Sequence, residues 1–134
     1  MGEGLASFQR RMQAIPEAVR RAVDPALLRG GEAVADAIRA LAPVDEGALL
    51  ASVTVTGPGQ ATPAYSQPGG AAVVPDNAAA VTVGNTDVRY PHLVEYGTTH
   101  AAAQPFFWPG FRLSRKKAAA QIKRGISKAI RGAK

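Results

Sequence analysis

The sequence predicts an α+β fold: a long N-terminal helix and a C-terminal helix packed on a small antiparallel β-meander with a long flexible loop. Three observations carry this. Apolar residues recur at steps of three, four and seven from Ile15 to Leu41, and at steps of four from Ala118 to Ile130, which places each set on one helical face. Residues 52–56 and 79–84 carry the β-branched runs typical of short strands. Between them, residues 57–71 are mostly Gly, Pro, Gln, Ser and Ala around Tyr65, a composition that predicts a loop unusually long for a compact domain.

The first helix is expected over residues 4–41. Ile15, Val19, Val23, Leu27, Val34, Ile38 and Leu41 share its apolar face, while Arg20, Arg21, Arg29, Glu32, Asp36 and Arg39 fall mostly off it. Pro16 suits a first turn. Asp24-Pro25 reads as an N-cap followed by proline and predicts a break or kink. Gly30-Gly31 weakens the helix by about 1 kcal/mol per glycine relative to alanine, or permits close packing. The helix should end at Ala42-Pro43, because the residue before a proline is pushed out of the α region. Asp45-Glu46-Gly47 then forms a turn in which Asp45 is placed to cap a short helical turn carrying Leu49 inward.

A short apolar run at 71–74 stops at the turn signal Pro75-Asp76-Asn77, and Asn85-Thr86-Asp87 closes the strand at 79–84. Residues 88–90 either begin a third strand or lead into the next helical turn. Residues 90–111 hold six of the eight aromatic residues, both histidines and the last acidic residue, Glu95. Leu93, Val94 and Tyr96 suit a buried helical turn ended by a left-handed Gly97, with Glu95 pointing away from the apolar side. A flexible link at 98–103 leads to an aromatic hinge framed by Pro105 and Pro109. Phe106 and Phe111 are expected in the core. Phe107 and Trp108 are adjacent, so at least one should be exposed as an interface anchor, with Trp108 preferred. Residues 111–130 form a basic helix about 30 Å long. Ala118, Ile122, Ile126 and Ile130 make its apolar stripe, Gly125 is a weak point, and cations fill much of the remainder.

With 134 residues the chain is long enough for one domain with a modest core. It has no cysteine, which excludes disulfides and cysteine-ligated zinc, and His92 and His100 match no familiar metal signature. The glycines lack phosphate-loop spacing. Asp45 and Glu46, adjacent on a turn, do not converge on one substrate atom, so no catalytic, metal or cofactor residue is expected and the protein is not read as an enzyme. No apolar run approaches the roughly 20 residues that cross a bilayer, and a soluble, intracellular product without membrane contact is expected. The charge is sharply divided. Residues 1–95 carry seven Lys/Arg against ten Asp/Glu, whereas residues 96–134 carry nine Lys/Arg and no acid. Such asymmetry points to nucleic acid or an acidic protein partner, with a solvated helix face as the plain alternative.

Three stretches resemble one family. Ala42-Pro43-Val44-Asp45-Glu46-Gly47-Ala48-Leu49 is similar to its A-P-V-D-T-G-x-L turn, and Tyr90-Pro91-His92-Leu93-Val94-Glu95-Tyr96-Gly97-Thr98 to its Y-A-x-x-V-E-F-G-T. Ala103-Gln104-Pro105-Phe106 through Pro109 resembles its x-A-Q-P-F-L-R-P. The family comprises the small head–tail joining, neck or tail-completion proteins of long-tailed bacteriophages, prophages and gene transfer agents. Glu46, Leu50 and Trp108 depart from its usual Thr, Arg/Lys and Arg. The resemblance implies a virion subunit assembled in the bacterial cytoplasm. It would form a homo-oligomeric ring, six-fold favoured with twelve-fold as the alternative, joining the capsid connector to the tail around double-stranded DNA. Its neighbours would be the adaptor or stopper and the tail terminator or tail-tube proteins. The alternatives are the stopper or tail-terminator ring itself, or a sequence-independent DNA-binding module. Glu95, Tyr96, Phe107, Trp108, Arg115, Lys116 and Lys117 are the candidate subunit-interface residues, and Lys123, Arg124 and Lys128 the candidate DNA-facing ones.

Overall fold

The computed structural model describes residues 17–43 and 47–132. The expectations for Ile15, Pro16 and Asp45 fall outside them. In chain order the described elements are helix α1 (Glu17–Leu41), the short helix α2 (Gly47–Ala51), strands β1 (Thr54–Thr56) and β2 (Ala80–Thr82), the short helix α3 (Pro91–Tyr96) and the long helix α4 (Phe107–Gly132). The class is α+β, as predicted.

Of the break or kink expected at Asp24-Pro25, the break does not occur: helix α1 runs through Pro25. A proline inside a helix costs roughly 3 kcal/mol or more, through one lost hydrogen bond and a clash with the carbonyl four residues back. Against this, the helix buries Ala26, Leu27, Val34, Ala35 and Ile38 along one face, while Pro25 itself is exposed. Packing outweighs the local signal. Leu41, expected on the buried stripe, is 42% exposed at the helix end.

Helices α1 and α4 lie antiparallel in close contact, and glycines set how close. A Cβ on Gly110 would stand 2.7 Å from Ile38 Cα, one on Gly125 2.5 Å from Ala26 Cβ, and one on Gly30 would collide with Ile122. As the partner number falls from 38 to 26 on α1, it rises from 110 to 125 on α4, which fixes the direction. Gly31 abuts Val55 in the same way, so the Gly30-Gly31 pair serves close packing against both α4 and β1. Gly125 is a contact point rather than a weakness.

After α1 ends at Leu41, α2 drives Leu49 to complete burial. Ser52 follows, buried, with Oγ donating to Leu49 O (2.7 Å) and accepting from Gly84 N–H (3.1 Å). β1 and β2 pair antiparallel with Thr54 opposite Thr82, Val55 opposite Val81 and Thr56 opposite Ala80. Among the described residues the sheet stops at two strands. Residues 88–90 do not add a third, because Asn85 Oδ1 accepts from the N–H groups of Asp87 (2.9 Å) and Val88 (3.0 Å) and holds the chain in a turn. The core gathers Val34, Ile38, Leu49, Val53, Val83, Val88, Phe106, Phe107 and Ala118 where the helices meet the sheet.

The stretch at 57–71 is tied down by hydrogen bonds, mostly to residues 72–74 that follow it. Gly59 N–H reaches Val74 O, Val74 N–H reaches Gln60 O, and Thr62 N–H reaches Ala72 O, all at 2.8–2.9 Å. Thr62 Oγ1 also accepts from Ala72 N–H (2.8 Å). Gln67 then exchanges two backbone hydrogen bonds with Val83 before the cis Gln67–Pro68 peptide. Composition concealed this, because the bonds are made by backbone and by Thr62 rather than by an apolar pattern.

Candidate functional site

The joint between α3 and α4 is organised by Glu95. It comes from α3, where Pro91 occupies the first turn and Gly97 N–H closes the last by bonding to Leu93 O. The side chain points inward, 6% exposed, opposite to the sequence expectation. Its Oε1 accepts from the N–H groups of Phe106 (3.0 Å) and Phe107 (2.8 Å), and Oε2 from that of Trp108 (3.3 Å). The first N–H groups of a helix have no partner within it and carry partial positive charge, so a carboxylate there satisfies both needs. α4 therefore starts at Phe107, four residues before the predicted Phe111, with Pro109 accommodated in its first turn. Leu93 and Tyr96, expected to be buried, are 45% and 68% exposed.

The link at 98–103 is a turn. Thr98 Oγ1 accepts from His100 and Ala101 N–H, Thr98 N–H bonds to Ala101 O (2.8 Å), and Gln104 N–H bonds to Val94 O (2.8 Å). Gly97 has φ 79° and ψ 174°, a positive-φ extended conformation rather than the left-handed helical one expected. A Cβ there would lie 2.7 Å from Ala103 N.

The aromatics around this joint divide by face. Phe106 is fully buried and Phe107 is 7% exposed, both in the core. Trp108 is half-buried, and its indole N–H donates to Tyr96 Oη (2.8 Å). It meets Phe107 and Phe111 edge-on, at centroid distances of 5.0 and 6.1 Å. Phe111, expected in the core, is 37% exposed. Beside these rings an open apolar groove of about 420 Å³ is walled by Gly30, Val34, Val81, Trp108, Phe111 and Ile122, with Arg115 at its edge. On the other side of Trp108, Gln67 Nε2 donates to His92 Nδ1 (3.1 Å). Among the described residues no group of three or more His, Asp or Glu is arranged to hold a metal ion.

The structure thus separates the candidate residues. Glu95 and Phe107 are internal and shape the joint. Tyr96, Trp108 and Arg115 border the exposed apolar surface, while Lys116, Lys117, Lys123, Arg124 and Lys128 are exposed along α4. Gly110, Ser52 and Gln67 were not singled out from the sequence. Their roles depend on partners 72, 32 and 16 residues away, so no local pattern carries them.

Among the described residues no helix is long and apolar enough to cross a membrane. A family model described as "Bacteriophage HK97-gp10, putative tail-component" matches residues 6–97. The match spans the first resemblance motif and all but the last residue of the second, and stops before the third and before α4. No curated protein and no solved structure matches the chain. With most of its length matched, the chain belongs to the HK97-gp10-like family of phage tail and head–tail structural components.

Proposed function

We propose that the chain is a subunit of a homo-oligomeric ring at the head–tail junction of a tailed phage or phage-like particle. The ring joins the capsid connector to the tail, with double-stranded DNA passing through its centre. Its role is structural rather than catalytic. Six-fold symmetry is favoured and twelve-fold is the alternative. An adaptor or stopper lies on one side, and a tail terminator or tail tube on the other.

The observation that carries this reading, beside family membership, is the apolar surface formed by the exposed Tyr96 and Phe111 and the half-buried Trp108, continued by the groove between α1 and α4. A contiguous patch of this kind, with aromatic anchors and an arginine at its edge, fits a protein interface. Closed rings need one patch to meet a different patch on the next subunit. Tyr96, Trp108 and Arg115 are assigned to this contact.

Light scattering on the purified full chain tests the proposal. A mass of six or twelve subunits is expected, and Trp108→Ala should shift the population toward monomer while the circular dichroism spectrum is retained. A strictly monomeric protein, together with particles containing no copies of this chain, would overturn it. A particle reconstruction decides whether the ring is the joining, stopper or terminator layer.

A further inference from the structure

The outer face of α4 carries a concentration of unneutralised positive charge that the packing of the fold does not use. The helix holds eight Lys/Arg and no acid, and all eight side chains are exposed. Among the described residues none of the eight has a carboxylate partner. At about 100° per residue, Arg112, Lys116 and Lys123 form a ridge opposite the buried line of Phe107, Ser114 and Ala118. Lys117, Arg124, Lys128 and Arg131 form a second ridge about a quarter-turn from that line, and Arg115 stands on its other flank.

Helix chemistry alone does not account for this. The helix dipole favours cations only in the last turn, yet four of the eight, Arg112 through Lys117, stand in the first half of α4. Among the described residues a second copy of the chain offers few carboxylates to match it. The exposed carboxylates among the described residues are Glu32, Asp36, Asp76 and Asp87, and the first two are shared with Arg39 at 3.4 and 2.9 Å. The ridges also lack an aromatic anchor. Their outward positions hold mostly Lys, Arg, Ala and Ser, with Leu113 and Ile130 exposed near the two ends, whereas protein interfaces are depleted in lysine and enriched in aromatic residues.

We infer that the outer face of α4 is a sequence-independent contact for the phosphate backbone of duplex DNA. Lys and Arg rows of this kind position a duplex through its phosphates and read no bases. The cations extend over about 29 Å along the helix, close to one turn of B-DNA at about 34 Å. With no aromatic on the ridges, single-strand stacking is not supported. The inference rests on the ring reading for its biological setting, since subunits around a channel would bring several such faces to one duplex. The contact itself is a property of each chain, and α4 lies beyond the residues matched to the family.

The test titrates the full-length protein onto fluorescent duplexes of unrelated sequence by anisotropy, alongside polyglutamate and a Lys116→Gln/Lys123→Gln/Arg124→Gln variant. Glutamine keeps helix propensity while removing charge. Binding should be indifferent to sequence. With about four phosphates engaged, it should weaken roughly a hundredfold between about 0.05 and 0.2 M salt. The variant should lose at least about tenfold in affinity with an unchanged circular dichroism spectrum. Absence of duplex binding, a variant that binds like the parent, or polyglutamate binding as tightly as DNA would each overturn the inference, the last by assigning the face to an acidic protein. Light scattering on the same samples separates the two proposals. A monomer that is absent from particles yet binds DNA through α4 overturns the ring alone, and a ring that ignores DNA overturns the α4 assignment alone.

Discussion

At Glu95 one side chain decides where a helix begins. Its two oxygens accept from three successive N–H groups, and none of the donors lies within ten residues of it in sequence. Truncation to alanine leaves those donors at a site where Phe106 and Phe107 exclude water, and an unsatisfied buried donor costs about 1–3 kcal/mol. Glu95→Ala should therefore lower the urea midpoint, corresponding to a loss of at least about 1–3 kcal/mol of stability. Glu95→Gln, which keeps an acceptor oxygen but not the charge, should lose less. Equal midpoints for Glu95→Ala and the parent would refute the capping role. Ser52 offers a parallel case. Ser52→Ala orphans Gly84 N–H and should cost about 1–3 kcal/mol in the same urea titration, because both partners are buried. The sequence drew attention to Glu95 as the last acid, but local rules placed it on the wrong side. Familiar capping boxes close within three residues, and this cap closes over eleven to thirteen.

Two long helices packed along most of their length need small residues at their crossing points, and here α1 and α4 use Gly30, Gly110 and Gly125. At Gly110 an added Cβ would meet Ile38 backbone atoms at 2.7 and 2.9 Å, which cannot yield without moving α1. Gly110→Ala should destabilise by about 1–3 kcal/mol, the usual cost of overpacking. Gly132→Ala meets nothing within 4 Å and should be neutral or gain up to about 1 kcal/mol of helix propensity. Thermal unfolding of the two variants side by side tests this, and equal shifts would contradict the packing argument. The periodic apolar stripes made both helices legible, along with the burial of Leu27, Val34, Ile38 and Ala118. Gly125 read only as low propensity, and Gly30-Gly31 as low propensity or close packing with no partner named, because the value of each lies in the element it packs against. Pro25 misled for the complementary reason, since its cost is local and the burial that offsets it is not.

For the molecule as a whole the division of charge has a thermodynamic consequence independent of any partner. Along α4, Arg112–Lys116 and Arg124–Lys128 are like-charged pairs four residues apart, and Arg112–Arg115 and Lys128–Arg131 pairs three apart. At about 0.2–0.5 kcal/mol each, these repulsions sum to roughly 1–2 kcal/mol. Opposing them, the dipole favours Arg131 in the last turn by about 0.3–1 kcal/mol. The surface pairs of Arg39 with Glu32 and Asp36 contribute little. Repulsion therefore outweighs these attractions, and salt screens it, because the Debye length falls below about 10 Å above 0.1 M. Raising sodium chloride from about 0.02 to about 0.2 M should raise the melting temperature of the unliganded full chain, the reverse of what a fold held by surface ion pairs would show. In the Lys116→Gln/Lys123→Gln/Arg124→Gln variant the rise should shrink, since Arg112 and Lys128 each lose a like-charged neighbour. A melting temperature that falls with salt would mean that the α4 cations are neutralised within the chain, and the free cationic face would have to be abandoned.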